Sequence, residues 1–188
     1  MLNKRGRILL IGSVLWACGE GMLGPLFAVF TQRIGGSILD ITSAWAIFLA
    51  VTGISIILVG KVTDSLRNSH ARERIMVAGY ALNALCTFGY LLVTTPTHLL
   101  LVQAGLGFAV ALSSPTWLSL YSDNNKKNAG ALSWGLESGL SYIMHAISIL
   151  IGGYIVSTYS FNVLFVMMGV IQVIATIYQA QILRIKGK

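Results

Sequence analysis

Six long, mostly apolar runs, joined by short polar segments, dominate this sequence. A helix that crosses a bilayer needs about 20 such residues, whereas the strands of a membrane barrel are shorter and alternate in polarity. Only 10% of the 188 residues are charged, compared with about 25% in a water-soluble domain. The sequence therefore predicts an all-α integral membrane protein with six transmembrane helices. The predicted spans are residues 8–30, 41–59, 75–93, 99–120, 131–156 and 163–183.

The basic residues are distributed unevenly among the polar segments. Of the 13 Lys and Arg residues, all except Arg33 fall at the N-terminus, after the second span, after the fourth span or in the C-terminal tail. These four segments share one side of the membrane if there are six spans. Because cytoplasmic loops carry an excess of Lys and Arg, we predict that both termini are cytoplasmic and that the protein lies in a cytoplasmic (inner) membrane.

Composition and motif content exclude several classes of function. The net charge of +7 does not indicate a nucleic-acid partner, because the basic residues form no patch with interleaved aromatic residues. The two cysteines, Cys18 and Cys86, lie inside apolar spans and predict no disulfide framework. The sequence contains no metal-spaced His/Cys cluster and no phosphate-binding glycine loop, so we predict neither a cofactor nor an enzyme activity. No segment is long enough for a soluble domain, so residues 1–188 are predicted to form a single transmembrane domain.

Two pairs of landmarks indicate an internal repeat. Pro25 and Pro115 lie at similar distances into the first and the fourth span, and a Trp follows each of them near the next span, as Trp45 and Trp134. The first three spans begin on the cytoplasmic side and the last three begin outside. Because many transporters are built from inverted repeats, we predict an inverted repeat of two three-helix units. The two units are residues 1–94 and 95–188.

The longest polar segment, residues 60–74, resembles the signature between the second and third helices of the major facilitator superfamily. The family pattern is of the type Gly-x-Leu-Ala-Asp-Arg-x-Gly-Arg-Arg, and Gly60 and Asp64 match it at the right spacing. The second Gly of the pattern is missing, and Arg72 and Arg74 follow only after a longer segment. The basic half of the signature therefore has no fixed alignment here.

Other positions both support and limit this resemblance. Gly152 and Gly153 are similar to a double glycine in the fifth helix of the family. Proton-coupled drug exporters of the family carry an Arg in the fourth helix, where this chain has Leu101, and a Gly-Pro pair in the fifth, where it has Ser148 and Ile149. These departures weaken an assignment as a drug/proton antiporter.

The resemblance implies a function that needs a second subunit. The usual family member has twelve helices in two six-helix halves, and this chain resembles one half, of the N-terminal type. We therefore predict a half-size transporter that works as a parallel homodimer by alternating access and moves a small solute, either cationic or amphipathic. The predicted partners are membrane lipid, the solute and a second copy of the chain. The alternatives are a non-transporting membrane scaffold or assembly subunit, and a piece of a twelve-helix transporter.

By the same resemblance, the second span of one copy packs against the fifth span of the other. Small residues let transmembrane helices approach closely, and the predicted dimer interface consists of Gly53, Gly60, Gly139, Gly152 and Gly153. The predicted gating loop consists of Gly60, Asp64, Arg72 and Arg74. In this loop the carboxylate of Asp64 would meet the N-terminal end of a helix of the partner, near Gly130, where free N–H groups attract it. The alternative is that Asp64 is only solvated and that the arginines anchor at lipid head groups.

Ionisable side chains inside the spans indicate a binding site, because charge in hydrocarbon is costly. Glu20 lies near the middle of the first span, and Glu137 and His145 share one face of the fifth. The predicted solute- or proton-binding residues are Glu20, His145, Gln103, Glu137, Trp16 and Trp117. Glu20 is expected to hold a proton, to pair with a cationic solute, or to do both. The alternative for such polar faces is helix packing, and interhelical hydrogen bonding is the role that we predict for Asn83 and Gln172.

Overall fold

The computed structural model describes residues 3–66, 69–124 and 130–185, and within these ranges it contains helices and no strand. The α-helices are α1 (Lys4–Gly21), α2 (Leu26–Arg33), α3 (Ile38–Ser65), α4 (Ser69–Gly89), α5 (Pro96–Asp123), α6 (Gly130–Thr158) and α7 (Phe161–Ala180). Two 3₁₀ segments, Tyr90–Leu92 and Gln181–Arg184, follow α4 and α7. Some residues that contribute to the predicted charge bias lie outside the described ranges, namely Arg67, Lys126, Lys127, Lys186 and Lys188.

The predicted all-α membrane fold is confirmed. By length and composition, five helices could each cross a membrane, and α1 with α2 make a sixth span when the bent pair counts as one. The two helices of this pair are inclined by 44° to each other. The break falls at Gly24 and Pro25, where a residue without a side chain and a residue without a backbone N–H interrupt the helical ladder. Lys4 and Arg184 border the same cavity. The start of the first helix and the end of the last helical segment therefore lie on one face of the bundle, which we call the inner face.

The segment 60–74 is not the open loop that its polarity indicates. Helix α3 continues through Gly60 to Ser65, and α4 begins at Ser69, so the described part of the segment is almost entirely helical. The expectation of a loop is wrong because polar side chains do not end a helix once it leaves the hydrocarbon, as long as each backbone group keeps its partner. Gly60 and Asp64 therefore belong to α3, whereas Arg72 and Arg74 belong to α4.

The helices that start on the outer face have strong N-terminal caps. Ser37 and Asp40 form a capping box at the start of α3, in which the Ser37 Oγ accepts from the Asp40 N–H and the Asp40 carboxylate accepts from the Ser37 N–H. Thr95 caps α5, with Pro96 in its first turn, and Ser160 caps α7. These caps satisfy free N–H groups where the chain re-enters the membrane.

Helix packing follows a pattern that agrees with the predicted repeat. Helix α1 packs on α6 and α7, helix α5 packs on α3 and α4, and α4 also packs on α7. Exchanging the first three spans for the last three turns the contacts of α1 with α6 and α7 into the contacts of α5 with α3 and α4, and it leaves the α4–α7 contact unchanged. The division into residues 1–94 and 95–188 stays a prediction.

Two close crossings need glycine. Gly107 of α5 lies against α3, and a Cβ at this position would stand 2.6 Å from the Phe48 carbonyl oxygen. Gly152 of α6 lies against the Met22 carbonyl at the end of α1, where a Cβ would overlap it. We expected Gly152 at the dimer interface, but it is buried within its own chain, so that expectation is corrected. A glycine pattern shows that helices approach closely without showing which helices they are.

Burial is uneven among the spans. We compared the 18-residue window of highest hydropathy in each span. In the spans of α4, α5 and α7, 39% of the residues in this window are buried, but only 17% are buried in α6 and 6% in α3. All five predicted interface glycines lie on these two helices, and at every one except Gly152 an added Cβ would meet no described atom of another element within 4 Å: Gly53, Gly60, Gly139 and Gly153. Helices α3 and α6 therefore present the largest unpacked faces of the bundle.

Candidate functional site

A cavity opens among α1, α4, α5 and α6, toward the inner face. We call it the inner cavity, and its volume is about 270 Å³. Three aromatic side chains line it, Trp16, Tyr80 and Trp117, together with Glu137 and His145. An apolar cavity with a few convergent polar groups is the usual form of a small-molecule site.

Glu137 is the acidic group of the inner cavity. Its carboxylate is partly exposed and accepts hydrogen bonds from the hydroxyls of Ser138 (3.3 Å) and Ser141 (3.4 Å). His145 lies one turn beyond Ser141 on α6, and its Nδ1 is 2.9 Å from the Ser141 carbonyl oxygen. An Nδ1–H donating to that carbonyl would leave Nε2 as an acceptor. These groups all belong to α6, so this polar stripe is positioned by a single helix.

Trp16 and Trp117 line the same cavity, and Trp117 is held in place by contacts with neighbouring residues. The Trp117 Nε1 donates to the Leu9 carbonyl of α1 at 3.2 Å, which ties α5 to α1. The Trp117 ring also stacks on Tyr121, with centroids 4.8 Å apart. Such rigid aromatic walls leave the carboxylate and the imidazole as the adaptable part of the cavity.

Glu20 lies outside the inner cavity. It borders a smaller cavity of about 100 Å³, which opens among α1, α2, α3 and α5 toward the opposite face, and we call this the outer cavity. One carboxylate oxygen, Oε1, accepts from the Asn83 Nδ2 at 2.9 Å and from the Gln172 Nε2 at 3.2 Å. The same Gln172 amide also donates to the Trp16 carbonyl at 3.2 Å. The expected role of Asn83 and Gln172 as interhelical hydrogen bonders is confirmed, because they join α4 and α7 to α1.

Gln103 also belongs to the outer cavity. Its Nε2 donates to the Tyr90 hydroxyl at 3.0 Å, and both side chains line the cavity with Glu20. We expected six residues to form one site, and the structure divides them between two. The inner cavity holds Trp16, Trp117, Glu137 and His145, and the outer cavity holds Glu20 and Gln103.

The residues expected to form a gate lie near the inner ends of α3 and α4. Asp64 and Arg74 are exposed and Arg72 is half-buried. The Arg72 Nε is buried and donates no hydrogen bond to any described residue. Gly60 faces open space, so the inner end of α3 is free for a contact.

Sequence reasoning missed the one fully buried acid at this end of the bundle. Glu73 has no exposed surface, forms an ion pair with Arg5 of α1, and lies 3.2 Å from the His70 Nδ1. The sequence did contain a signal for this burial. Glu73 lies three and seven residues before Met76 and Tyr80, which are buried on the same face of α4. The pair joins the starts of the first and third spans.

Comparison with known proteins adds a family. The model of the Major Facilitator Superfamily matches residues 9–185, which is nearly the whole chain. A search of curated proteins finds no match to the sequence. Within the described residues, no group of three or more His, Cys, Asp or Glu side chains is placed to hold a metal ion.

Proposed function

The chain belongs to the major facilitator superfamily of membrane transporters, and we propose that it is a half-size transporter that works as a parallel homodimer. In the proposed dimer, two six-helix chains enclose a solute path along a two-fold axis, and the path opens alternately to the two faces. The observation that carries this proposal is that α3 and α6 are much less buried than α4, α5 and α7. A second half would cover these two helices.

Several features of α3 and α6 support a contact between copies. Gly53 and Gly60 on α3, and Gly139 and Gly153 on α6, leave room for a close approach. A two-fold axis would bring α3 of one copy onto α6 of the other twice, which makes the contact isologous. Helix α6 also exposes Tyr142 by 76%, a larger exposure than that of most aromatic side chains in the chain. In lipid alone, the hydroxyl of Tyr142 would have no hydrogen-bond partner.

Asp64 gives the proposed dimer a latch. It stands exposed one residue before the end of α3, on the inner face. The N-terminal end of α6, at Gly130, reaches the same face and carries the positive end of a helix dipole. In the closed state of the inner side, the carboxylate of Asp64 would accept from the free N–H groups of the partner's α6.

The inner cavity supplies the proposed solute site. Its volume of about 270 Å³ lies just below the range of about 300–1,000 Å³ that is typical of ligand pockets, so one copy would supply about half of a larger site. Glu137 provides negative charge, and Trp16 and Trp117 provide aromatic faces, which together suit a small cationic or amphipathic solute. Glu20 is the proposed proton carrier, since it is the carboxylate nearest the middle of the bundle.

Cross-linking tests the dimer. Gly53 lies 12 residues before the end of α3 and Gly139 lies 9 residues after the start of α6, which places them about 18 and 14 Å from the inner ends of their helices. Two differently tagged chains, one with Gly53→Cys and one with Gly139→Cys, are co-expressed after Cys18→Ala and Cys86→Ala. We expect a cross-linked heterodimer, and none when Val170→Cys on α7 replaces Gly139→Cys. A strictly monomeric protein without cross-links would overturn the proposal.

Flux measurements test transport. We expect proteoliposomes to take up at least one solute from a panel of labelled small organic cations and neutral amphipaths, and Glu137→Gln to reduce that uptake. A disulfide between Asp64→Cys of one copy and Gly130→Cys of the other should stop uptake until a reductant is added. If no solute of the panel moves while the dimer still forms, the chain acts as a scaffold instead.

A further inference from the structure

Aromatic rings form much of the wall of the outer cavity. Phe27, Trp45, Phe48 and Tyr90 line it, so four of its nine lining residues are aromatic. The Phe27 and Trp45 rings lie 5.9 Å apart at 66°, and the Trp45 and Phe48 rings lie 5.7 Å apart at 90°. Edge-to-face contacts of this kind are a favoured packing of aromatic rings, so Phe27, Trp45 and Phe48 form one connected wall of the cavity.

A single negative charge borders this aromatic box. The Glu20 Oε1 is held by the amides of Asn83 and Gln172. Its Oε2 accepts no hydrogen bond from the described part of the chain, and no Lys or Arg is among the residues that line the cavity. Two titratable groups interact electrostatically with Glu20, namely Tyr90, which lines the cavity, and His145 on α6, which lies outside it. A buried carboxylate requires a positive partner or a proton, and this cavity leaves space for one.

We propose that the outer cavity binds a small alkylammonium cation, with the aromatic box around its methyl groups and Glu20 as its counter-ion. Aromatic faces attract a cation within about 6 Å of the ring centroid, and cages of this kind are suited to quaternary ammonium groups. The volume of about 100 Å³ equals the share of about three water molecules in the liquid. This excludes a drug-sized ligand and admits a trimethylammonium head group.

The position of the box relates it to the inner cavity. Trp16 and Glu20 are four residues apart on α1, which is about one helical turn or 6 Å along the axis. Trp16 lines the inner cavity and Glu20 lines the outer one, and the Gln172 amide bridges the Trp16 carbonyl and the Glu20 carboxylate. A cation that leaves Glu137 of α6 and passes Trp16 therefore finds its next counter-charge at Glu20, one turn of α1 beyond Trp16. The inference rests on the proposed transport function and deepens it, because it names the class of solute.

Equilibrium binding tests the site without requiring transport. Purified dimer in detergent is dialysed against labelled choline, and its neutral isostere 3,3-dimethyl-1-butanol competes. We expect choline and tetramethylammonium to bind, and the neutral isostere to compete at least tenfold more weakly. Equal competition by the isostere, or no binding of either cation, would overturn the proposal.

Variants locate the binding. Trp45→Leu and Phe48→Leu keep the carboxylate and should weaken choline binding at least tenfold, whereas Tyr154→Leu, which alters an exposed aromatic residue on α6, should leave it unchanged. Glu20→Gln should remove binding with little change in melting temperature, since a Gln oxygen can still accept from Asn83 and Gln172. Unchanged binding in Trp45→Leu would place the cation elsewhere and overturn the assignment.

The outcomes separate the two proposals. Choline binding that depends on Trp45, in a protein that moves no solute of the panel, would leave the cation site standing and reject the transport function. Uptake of a solute that depends on Glu137, in a protein that binds no choline or tetramethylammonium, would reject the cation site and leave the transport function standing.

Discussion

The inner and outer cavities share the helix α1, but they hold their carboxylates in different ways. Glu137 accepts hydrogen bonds from two serines of its own helix, whereas Glu20 accepts from amides on α4 and α7. A group that is bonded only within one helix can change partners without disturbing the bundle. A group that joins three helices cannot. The comparison shows that two carboxylates of one bundle are held differently, and we propose that Glu137 exchanges ligands whereas Glu20 couples a ligand to helix packing.

The largest effect is expected from Glu20→Leu. It leaves the Asn83 amide without its acceptor, whereas the Gln172 amide keeps the Trp16 carbonyl, and a buried polar group left without a partner costs about 1–3 kcal/mol. Uptake should be lost and the unfolding free energy should fall by at least that amount, measured by thermal unfolding in detergent. Glu137→Leu is the matched variant, and its melting temperature should stay near that of the wild type. Equal destabilisation by the two variants would contradict the proposal that Glu20, unlike Glu137, stabilises the packing of the helices.

The next effect concerns the close crossing of α6 with the end of α1. Gly152→Leu places a side chain against the Met22 carbonyl, and overpacking of this kind costs about 1–3 kcal/mol. We expect a lower melting temperature and reduced uptake. Gly153→Leu, one residue further, points into open space and should leave the monomer stable while it weakens the α3–α6 cross-link. Similar melting temperatures for both variants would contradict the close α1–α6 crossing.

Glu137→Gln should affect uptake alone. The amide keeps the shape of the side chain and its bonds to the serine hydroxyls but loses the negative charge. Uptake of a cationic solute should fall about tenfold, which corresponds to about 1.4 kcal/mol, with no change in the melting temperature. The ratio of uptake rates for cationic and neutral solutes of the panel gives the specific measurement. A uniform loss for both kinds of solute would show that the charge does not select.

The smallest effect is expected from Asn83→Leu. Gln172 still donates to Glu20 in this variant, and single interhelical hydrogen bonds in membranes contribute about 0.6 kcal/mol. The melting temperature should fall slightly, and the loss should grow in the double variant with Gln172→Leu. If the double variant is no less stable than either single one, Glu20 does not depend on these amides.

The fold was largely predictable because its determinants are local. Apolar run length predicts the spans, and the pair Gly24 and Pro25 sits where the first span breaks. The polar segment 60–74 misled the prediction, because helix continuation outside the hydrocarbon depends on backbone bonds rather than on polarity. Asn83 and Gln172 could be recognised because an amide in a membrane span needs a partner, although its identity was not apparent.

The site was less predictable because it depends on contacts between distant helices. Trp16 and Glu20 occupy one face of α1, and their spacing does not show that the bend and crossing of the helices direct them into different cavities. The pairing of Arg5 with Glu73 joins residues 68 positions apart, and nothing near either residue indicates it. Periodicity shows which face of a helix is polar but not which helix lies opposite.

The hydrogen bonds of Glu20 also have a consequence for the order of events during synthesis. Its partner Gln172 follows 152 residues later in the chain, which at about 5–20 residues per second is roughly 8–30 s of translation. Helix α1 likewise packs mainly on α6 and α7, which are made last. During this interval the first span carries its carboxylate into the membrane without its final neighbours. The first helix of the nascent chain must therefore stay beside the translocon, or in contact with water or lipid head groups, until α7 has been synthesised.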